Sequence, residues 1–426
     1  MASSRRRTSE SNERRDIISQ LPGDLKDKIL ECLPTRDAAR IALLSTEWRD
    51  VWLRHGRLVF DNAFFFKCAQ KYGGYKRMVN ILDRVIIHRA APVKKFTLSN
   101  SQSDLMLNQC DLDRWCLFLS RNGVEELSIA LVVSGQKYDV PIWVLSCPTI
   151  RHLNLEGFLI GCPRNAPCIF PGVTLLRFKN VEFKRSANGI VSCIIPNLEK
   201  LALSGSCGGI NTFEISSPKL ESFSAIDVVY VFESRWLKFH LKAIKTLCLS
   251  GLLLSRKPVA AAVPTFPTAL NLQVMKLYEL SFGCGKQLTV AMQLIKKCPN
   301  LCELGIMAEK SSWRDDKEAA SRLRVLEDPD GCFNIQDLTK LNTIKFECHS
   351  GSTLEMLFLK TLLSKSPQLE KVFIQKGSTM ECDISRELLC FPHASPKAQL
   401  VFKEVWLPHT LIGHPELYEF SLSTRW

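Results

Sequence analysis

The feature that most constrains this chain is a short apolar phrase that recurs along most of its length. An apolar residue is followed by others three and five positions on, starting at Val93, Val124, Ile150, Val173, Leu198, Leu220, Ile244, Leu272, Leu301, Leu341 and Leu369. Proline stands two residues before the first apolar position at Pro148, Pro171, Pro196, Pro218, Pro299 and Pro367. Proline there stops the preceding segment and starts an extended one, because it fixes its own φ and restrains its neighbour. Within each phrase the alternation is that of a short strand with one buried face. Such a unit cannot bury that face alone, so the units must stack on one another.

Stacking predicts a parallel sheet whose strands follow in chain order, with a return segment between each pair. Helical returns are predicted over 111–119, 288–297 and 354–363, the last with Leu354, Leu357, Phe358 and Leu362 on one stripe. Other returns, such as 161–171, read as irregular. Beyond several strands a second apolar pair follows: Phe158 and Ile160, Val181 and Phe183, Leu252 and Leu254, Leu280 and Phe282. These occupy the place where stacked repeats of this period often carry asparagine or cysteine, so no asparagine ladder is expected at that position. The charged stretch 310–330 reads as an exposed insertion. A helix over 75–90, with Met78, Leu82, Val85 and Ile86 in phase, is expected to cap the first unit.

A different pattern precedes the repeats, in DIISQLPGDLKDKILECLPTRDAARIALLSTEWRDVWLRHGRLVFD from Asp16 to Asp61. Pro22 is placed to start a helix that sets Leu25, Ile29, Leu30 and Leu33 on one face. Pro34 ends it, Thr35 is expected to cap a second helix, and Ser45 a third that carries Trp48 and Trp52 four residues apart. A module of about 40 residues rarely buries so much apolar surface unaided. Either the rest of the chain covers it or a groove on a partner does.

The residues Ile17-Ile18-Ser19-Gln20-Leu21-Pro22, Ile29-Leu30, Leu33-Pro34, Asp37-Ala38-Ala39-Arg40, Leu44-Ser45, Trp48-Arg49 and Trp52 resemble an F-box. The repeat interval in the twenties is that of leucine-rich repeats, about 20 to 29 residues. Leu341 to Phe346, Ser366-Pro367, Leu369 to Ile374, Phe391-Pro392 and Ala394 to Ala398 resemble an FBD region. Together they cover most of 16–403 and identify the chain as similar to plant F-box/FBD/leucine-rich-repeat proteins. The resemblance implies an α/β fold with a small all-helical F-box head followed by a curved solenoid. The parallel sheet would line the concave face, with mixed helices and irregular links on the convex face. It divides the chain into a basic tail (1–15), F-box (16–61), helical linker and cap (62–92), repeats (93–337), FBD-like repeats (338–403) and a C-terminal tail (404–426). It further implies docking on a Skp-type adaptor, and through it on a cullin/RING ubiquitin ligase. Leu21 and Pro22 would be the anchors, supported by Leu25, Ile29, Leu30, Leu33, Leu44 and Trp48.

Composition narrows the remaining chemistry. The 17 cysteines are scattered through apolar contexts, as suits reduced thiols, and no long apolar run or secretory leader is apparent. A nuclear or cytoplasmic location is expected. Cys298 and Cys302 are the one close cysteine pair, and no second pair completes a metal site. The net charge of +13 is dispersed among acids, apart from arginines in the first fifteen residues. The glycine-flanked Cys207 has the spacing of a nucleophile elbow but no following helix and no assignable histidine, so no catalytic residue and no cofactor is expected.

Function is therefore expected on the open face of the sheet, where third and fifth positions point away from the core. Lys95, Glu126, His152, Asn154, Arg177, Lys200, Lys276, Tyr278, Glu303, Lys345, Lys371 and Phe373 are the candidate contacts for a protein substrate awaiting ubiquitination. Two other readings stay open on the residues alone. One is a co-receptor in which a small ligand completes that face; the other is a basic nucleic-acid binder.

Overall fold

In the computed structural model, residues 18–403 are described except 71–72, 101–106, 132–136, 162–167, 185–190, 206–212, 229–236, 238–239, 257–258, 261–262, 310–337, 349–351, 377–387 and 389. The charged stretch 310–330, Cys207 and both tails lie outside the described residues.

Among the described residues, one sheet of thirteen strands runs through the body in chain order. Every pairing is parallel, from Arg57–Phe60 (β1) and Lys95–Asn100 (β2) through to Lys371–Lys376 and Gln399–Lys403. The register follows the apolar phrase: Phe96 lies opposite Leu127, Leu127 opposite Leu153, and Leu153 opposite Leu176. The same row continues through Leu201, Phe223, Leu247, Met275, Leu304, Ile344 and Val372. A one-residue slip would turn all of these to the opposite face, so the buried row itself fixes the register.

The proline mark is a turn. The N–H groups of Val173, Leu198, Leu220, Leu301 and Leu369 each donate to the carbonyl three residues back, at 3.1–3.4 Å. Pro171, Pro196, Pro218, Pro299 and Pro367 thus occupy the second turn position, where a fixed φ is already correct. Asparagine then ties successive turns together. Asn197 Nδ2 donates to the Pro171 carbonyl at 2.8 Å, Asn271 to Lys242 at 2.7 Å and Asn300 to Leu270 at 2.7 Å. Each bond links a turn to its counterpart one repeat earlier. Asparagine bridging is therefore present, although displaced from the position at which the sequence excluded it.

A second recurring device ends several strands. Gly157, Asn180, Gly205 and Asp227, each the residue after a strand, have φ of 82°, 53°, 67° and 53°. This left-handed turn separates the two apolar pairs of a unit. Gly205 needs to be glycine on packing grounds too, since a Cβ there would lie 2.3 Å from Asn180 Oδ1. Its place in a nucleophile-elbow motif is thus a repeat turn.

The return side is mixed. Helices form over Gln109–Arg121, Gly285–Lys296 and Thr353–Ser364, each matching the expected return to within three residues at either end. Between them, Phe158–Ile160 and Glu182–Phe183 join Tyr138–Asp139 in a small parallel sheet, as the second apolar pairs require. The pair Leu252 and Leu254 departs from this, for it lies in a short helix, Gly251–Ser255, and Leu252 is exposed.

Among the described residues, three helices precede the sheet: Gly23–Glu31 (α1), Thr35–Ile41 (α2) and Thr46–Arg54 (α3). Two more, Asn62–Ala69 (α4) and Gly74–Ile87 (α5), lie between β1 and β2. Most buried apolar residues form one cluster that runs from Leu30 and Trp48 in the first helices to Leu388 near the last strand. The helical segment and the repeats therefore share a core, and β1, inside the stretch that resembles an F-box, is the first strand of the sheet.

Candidate functional site

The helical end presents two faces with different fates. Ser45 caps α3 as expected, accepting the Trp48 N–H at 3.2 Å, and Trp48 and Trp52 turn inward. Leu30 and Trp48 are enclosed in the core, which corrects their expected place on an adaptor surface. They pack under the helices instead of projecting from them. Lys26 is buried beside Trp48 and reaches Glu47 Oε2 at 3.1 Å, tying α1 to α3. Pro22 and Leu25 are exposed, and Leu21, Ile29 and Leu33 half-buried. Leu43 and Leu44, in the turn after α2, are 85% and 74% exposed. Leu43 and Ile18 (62% exposed) were passed over in the sequence, and two adjacent leucines just past the end of a short helix were the available signal. Exposed leucines so placed form a surface that a partner can cover.

The opposite side of these helices is fastened to the sheet. Thr35 is the first residue of α2 and not its cap, a position that Pro34 takes. Its hydroxyl is used elsewhere, for Oγ1 accepts the Val59 N–H at 2.6 Å on β1. Arg57, also on β1, donates to the Glu31 carbonyl at the end of α1. Arg89 lies 4.1 Å over the Trp52 ring and donates to the carbonyls of Trp52 at 2.6 Å, His55 at 3.2 Å and Val85 at 3.0 Å. Burial lowers the Arg89 pKa to about 10. Guanidinium suits this place because its planar fork serves several carbonyls while its face lies on an indole.

On the open face, several candidate contacts are already engaged with one another. Lys95 Nζ meets Glu126 Oε2 at 2.8 Å, and His152 Nδ1 lies 3.6 Å from Glu126 Oε1 on the next strand. Asn154 donates to Ser128 at 3.0 Å, and Lys345 to Glu303 at 2.8 Å. Lys200 and Lys371 are exposed, while Lys276 and Phe373 are half-buried. Arg177 and Tyr278 are buried, at 3% and 0% exposed, which corrects their expected place among surface contacts. Tyr278 packs with Ile226 and Cys248, and Met307 lies against this small cluster, separate from the main core. Burial raises its phenol pKa well above the ordinary range. The face thus has a partly apolar middle flanked by paired charges.

The Cys298 thiol, just past the helix Gly285–Lys296, bonds back to the Leu294 carbonyl at 3.1 Å, and Cys302 turns to the Asn300 carbonyl at 3.4 Å. The two thiols do not converge. Among the described residues there is no group of three or more metal-ligating side chains, and no helix is long and apolar enough to cross a membrane.

Comparison with known proteins agrees with this anatomy. Residues 18–60 match the F-box domain model, and residues 112–265 match the model for the LRR repeats of FBD-associated F-box protein At5g56370. The chain is 28% identical to F-box/FBD/LRR-repeat protein At1g13570 of Arabidopsis thaliana, over 91% of this chain and 98% of that protein. It is 26% identical to FBD-associated F-box protein At4g10400, over 50% of this chain and 56% of the relative. F-box/LRR-repeat protein At3g03360 is 25% identical, over 69% and 59%; both are from the same plant. An F-box match where α1 to α3 lie, a repeat match over residues 112–265 of the sheet region, and one relative aligned nearly end to end lead to one conclusion: the chain is similar to the plant F-box/FBD/leucine-rich-repeat proteins along almost its whole length.

Proposed function

We propose that this protein is the substrate-recruiting subunit of a ubiquitin ligase of the Skp, cullin and F-box type. In this reading the exposed face of the F-box docks on a Skp-type adaptor. The repeats form a curved solenoid whose open sheet face selects a protein for ubiquitination, and the chain itself performs no catalysis. The observation that carries the proposal is the exposure of Leu25, Leu43 and Leu44 on an F-box whose other side is fastened to the first strand of the sheet. Exposed leucines on a fixed support provide a preformed apolar surface, which lowers the ordering cost of binding. Leu21, Pro22, Ile29 and Leu33 complete that surface. On the sheet, the mixture of cations, acids and Phe373 suits a polypeptide better than a phosphate backbone, which would demand excess cations along its track. A nuclear or cytoplasmic location belongs to the same proposal.

The test is a titration of the full chain against a plant Skp-type adaptor, followed by capture of bound proteins from plant cells in which cullin ligases are inhibited. Saturable adaptor binding is expected, with proteins enriched only when turnover is blocked. Failure of the intact chain to bind any such adaptor would overturn the reading.

A further inference from the structure

A groove of about 580 Å³ lies where the junction of α1 and α2 meets β1 and the capping helices α4 and α5. Its volume is that of a small-molecule site, for which about 300 to 1,000 Å³ is usual. Leu25, Leu43 and Leu44 do not line it, and of the proposed adaptor surface only Leu33 borders it, so the two adjoin at a single residue. Leu33, Val59, Phe64, Ile81 and Val85 give it apolar walls contributed by every element that borders it. Those walls are held in place independently of any ligand. The Thr35 hydroxyl fixes α2 to β1, and the Phe60 and Phe64 rings meet edge to face at 5.1 Å to join β1 to α4.

The charges at this groove are unequal. Its two acids have local partners: Asp61 accepts the Phe64 N–H at 3.0 Å as the cap of α4, and Asp37 lies 3.7 Å from Arg40. Arg36, Lys67 and Arg77 come from three different helices and also line it. None of these three forms an ion pair among the described residues. Cations converging on an apolar cleft without a carboxylate of their own complement a ligand with an apolar body and an anionic group. We propose that this groove binds a small organic acid of that kind. Such a ligand contacts the F-box and the first strand of the sheet together, so its binding tightens the joint between them.

The test uses the full chain with decanoate as probe, below its micelle concentration, and decanol as the uncharged counterpart. Calorimetric titration should show decanoate binding at least tenfold tighter than decanol. Lys67→Ala combined with Arg77→Ala changes only exposed side chains; it should weaken decanoate at least tenfold and leave decanol unchanged. Ile81→Trp, which fills the groove, should abolish binding of both. Equal affinity for acid and alcohol, or decanoate binding that survives Ile81→Trp in a folded protein, would overturn the proposal. So would displacement of decanoate by a Skp-type adaptor, because the groove would then be part of the adaptor interface. Lack of adaptor binding in itself leaves these outcomes readable, since none of the titrations requires the adaptor.

Discussion

The hydroxyl of Thr35 accepts a 2.6 Å hydrogen bond from the backbone N–H of Val59. A side chain of the F-box thereby satisfies a donor on the outer edge of the first sheet strand, which otherwise has no strand on that side. Thr35→Val keeps the shape and removes the acceptor. It is expected to cost about 1–3 kcal/mol, the usual penalty for stranding a buried polar group, whereas Thr35→Ser should cost much less. Urea unfolding of both variants measures this. Equal stability of Thr35→Val and the parent protein would show that the bond contributes nothing to the joint.

Exposure separates residues that serve a partner from those that serve the fold. Leu43→Asp with Leu44→Asp alters side chains that are 85% and 74% exposed, so the melting temperature should be unchanged. Adaptor affinity should fall at least about thirtyfold, from the roughly 2 kcal/mol that anchors of this kind contribute and 1.4 kcal/mol per factor of ten. Leu30→Ala should behave in the opposite way, costing about 2–5 kcal/mol of stability because it opens a cavity in the core. Retained adaptor affinity in the double variant would remove the leucine face from the interface.

Two buried histidines set a pH dependence. Burial lowers the pKa of His55, helped by the neighbouring Arg89, and burial lowers that of His240 despite its 3.1 Å contact with the Ile215 carbonyl. The fold disfavours the protonated form of both groups, whereas the unfolded chain takes up their protons near the ordinary value of 6.5. Their contribution is complete above that value and is lost as pH falls through it toward the depressed folded values. Melting temperatures measured from pH 7.5 to 5.0 should decline, and His55→Asn with His240→Asn should flatten the decline. A double variant as steep as the parent would refute the assignment.

The turn asparagines make a separate prediction. Asn300 donates to a carbonyl one repeat earlier, so Asn300→Ala should cost about 0.5–1.5 kcal/mol. Asn300→Asp replaces the donor by a second acceptor facing that carbonyl and should cost at least as much. If the aspartate variant matches asparagine in thermal unfolding, the bond between turns has no energetic role.

The strand register was legible because burial alternates with period two and proline marks the turn two residues ahead of each phrase. The same marks are missing from Arg57-Leu58-Val59-Phe60, which follows α3 without a proline, so on sequence that segment reads as the end of a helical module. Leu30 and Trp48 share helix faces with partly exposed neighbours. Periodicity identifies an apolar face but cannot say whether the chain's own core or another molecule covers it. Leu44 is expected among the adaptor residues, and the sequence does not reveal that α2 ends at Ile41 and leaves Leu43 and Leu44 together in a turn. Tyr278 alternates correctly with Leu277, yet it is enclosed by Ile226, Cys248 and Met307, and sequence gives the side of a sheet without giving what lies above it.

Because β1 is fastened to the F-box helices and is also the first of thirteen parallel strands in chain order among the described residues, the sheet works as a ruler with its zero mark at the F-box end. Strands about 4.8 Å apart place the last one roughly 58 Å along the sheet from the first. Moving a contact residue by one repeat shifts the point of grip by about 4.8 Å while the F-box stays where it is. On the function proposed above, the reach between a ligase and its target is thus encoded in whole repeats, and a change in repeat number alters that reach in steps.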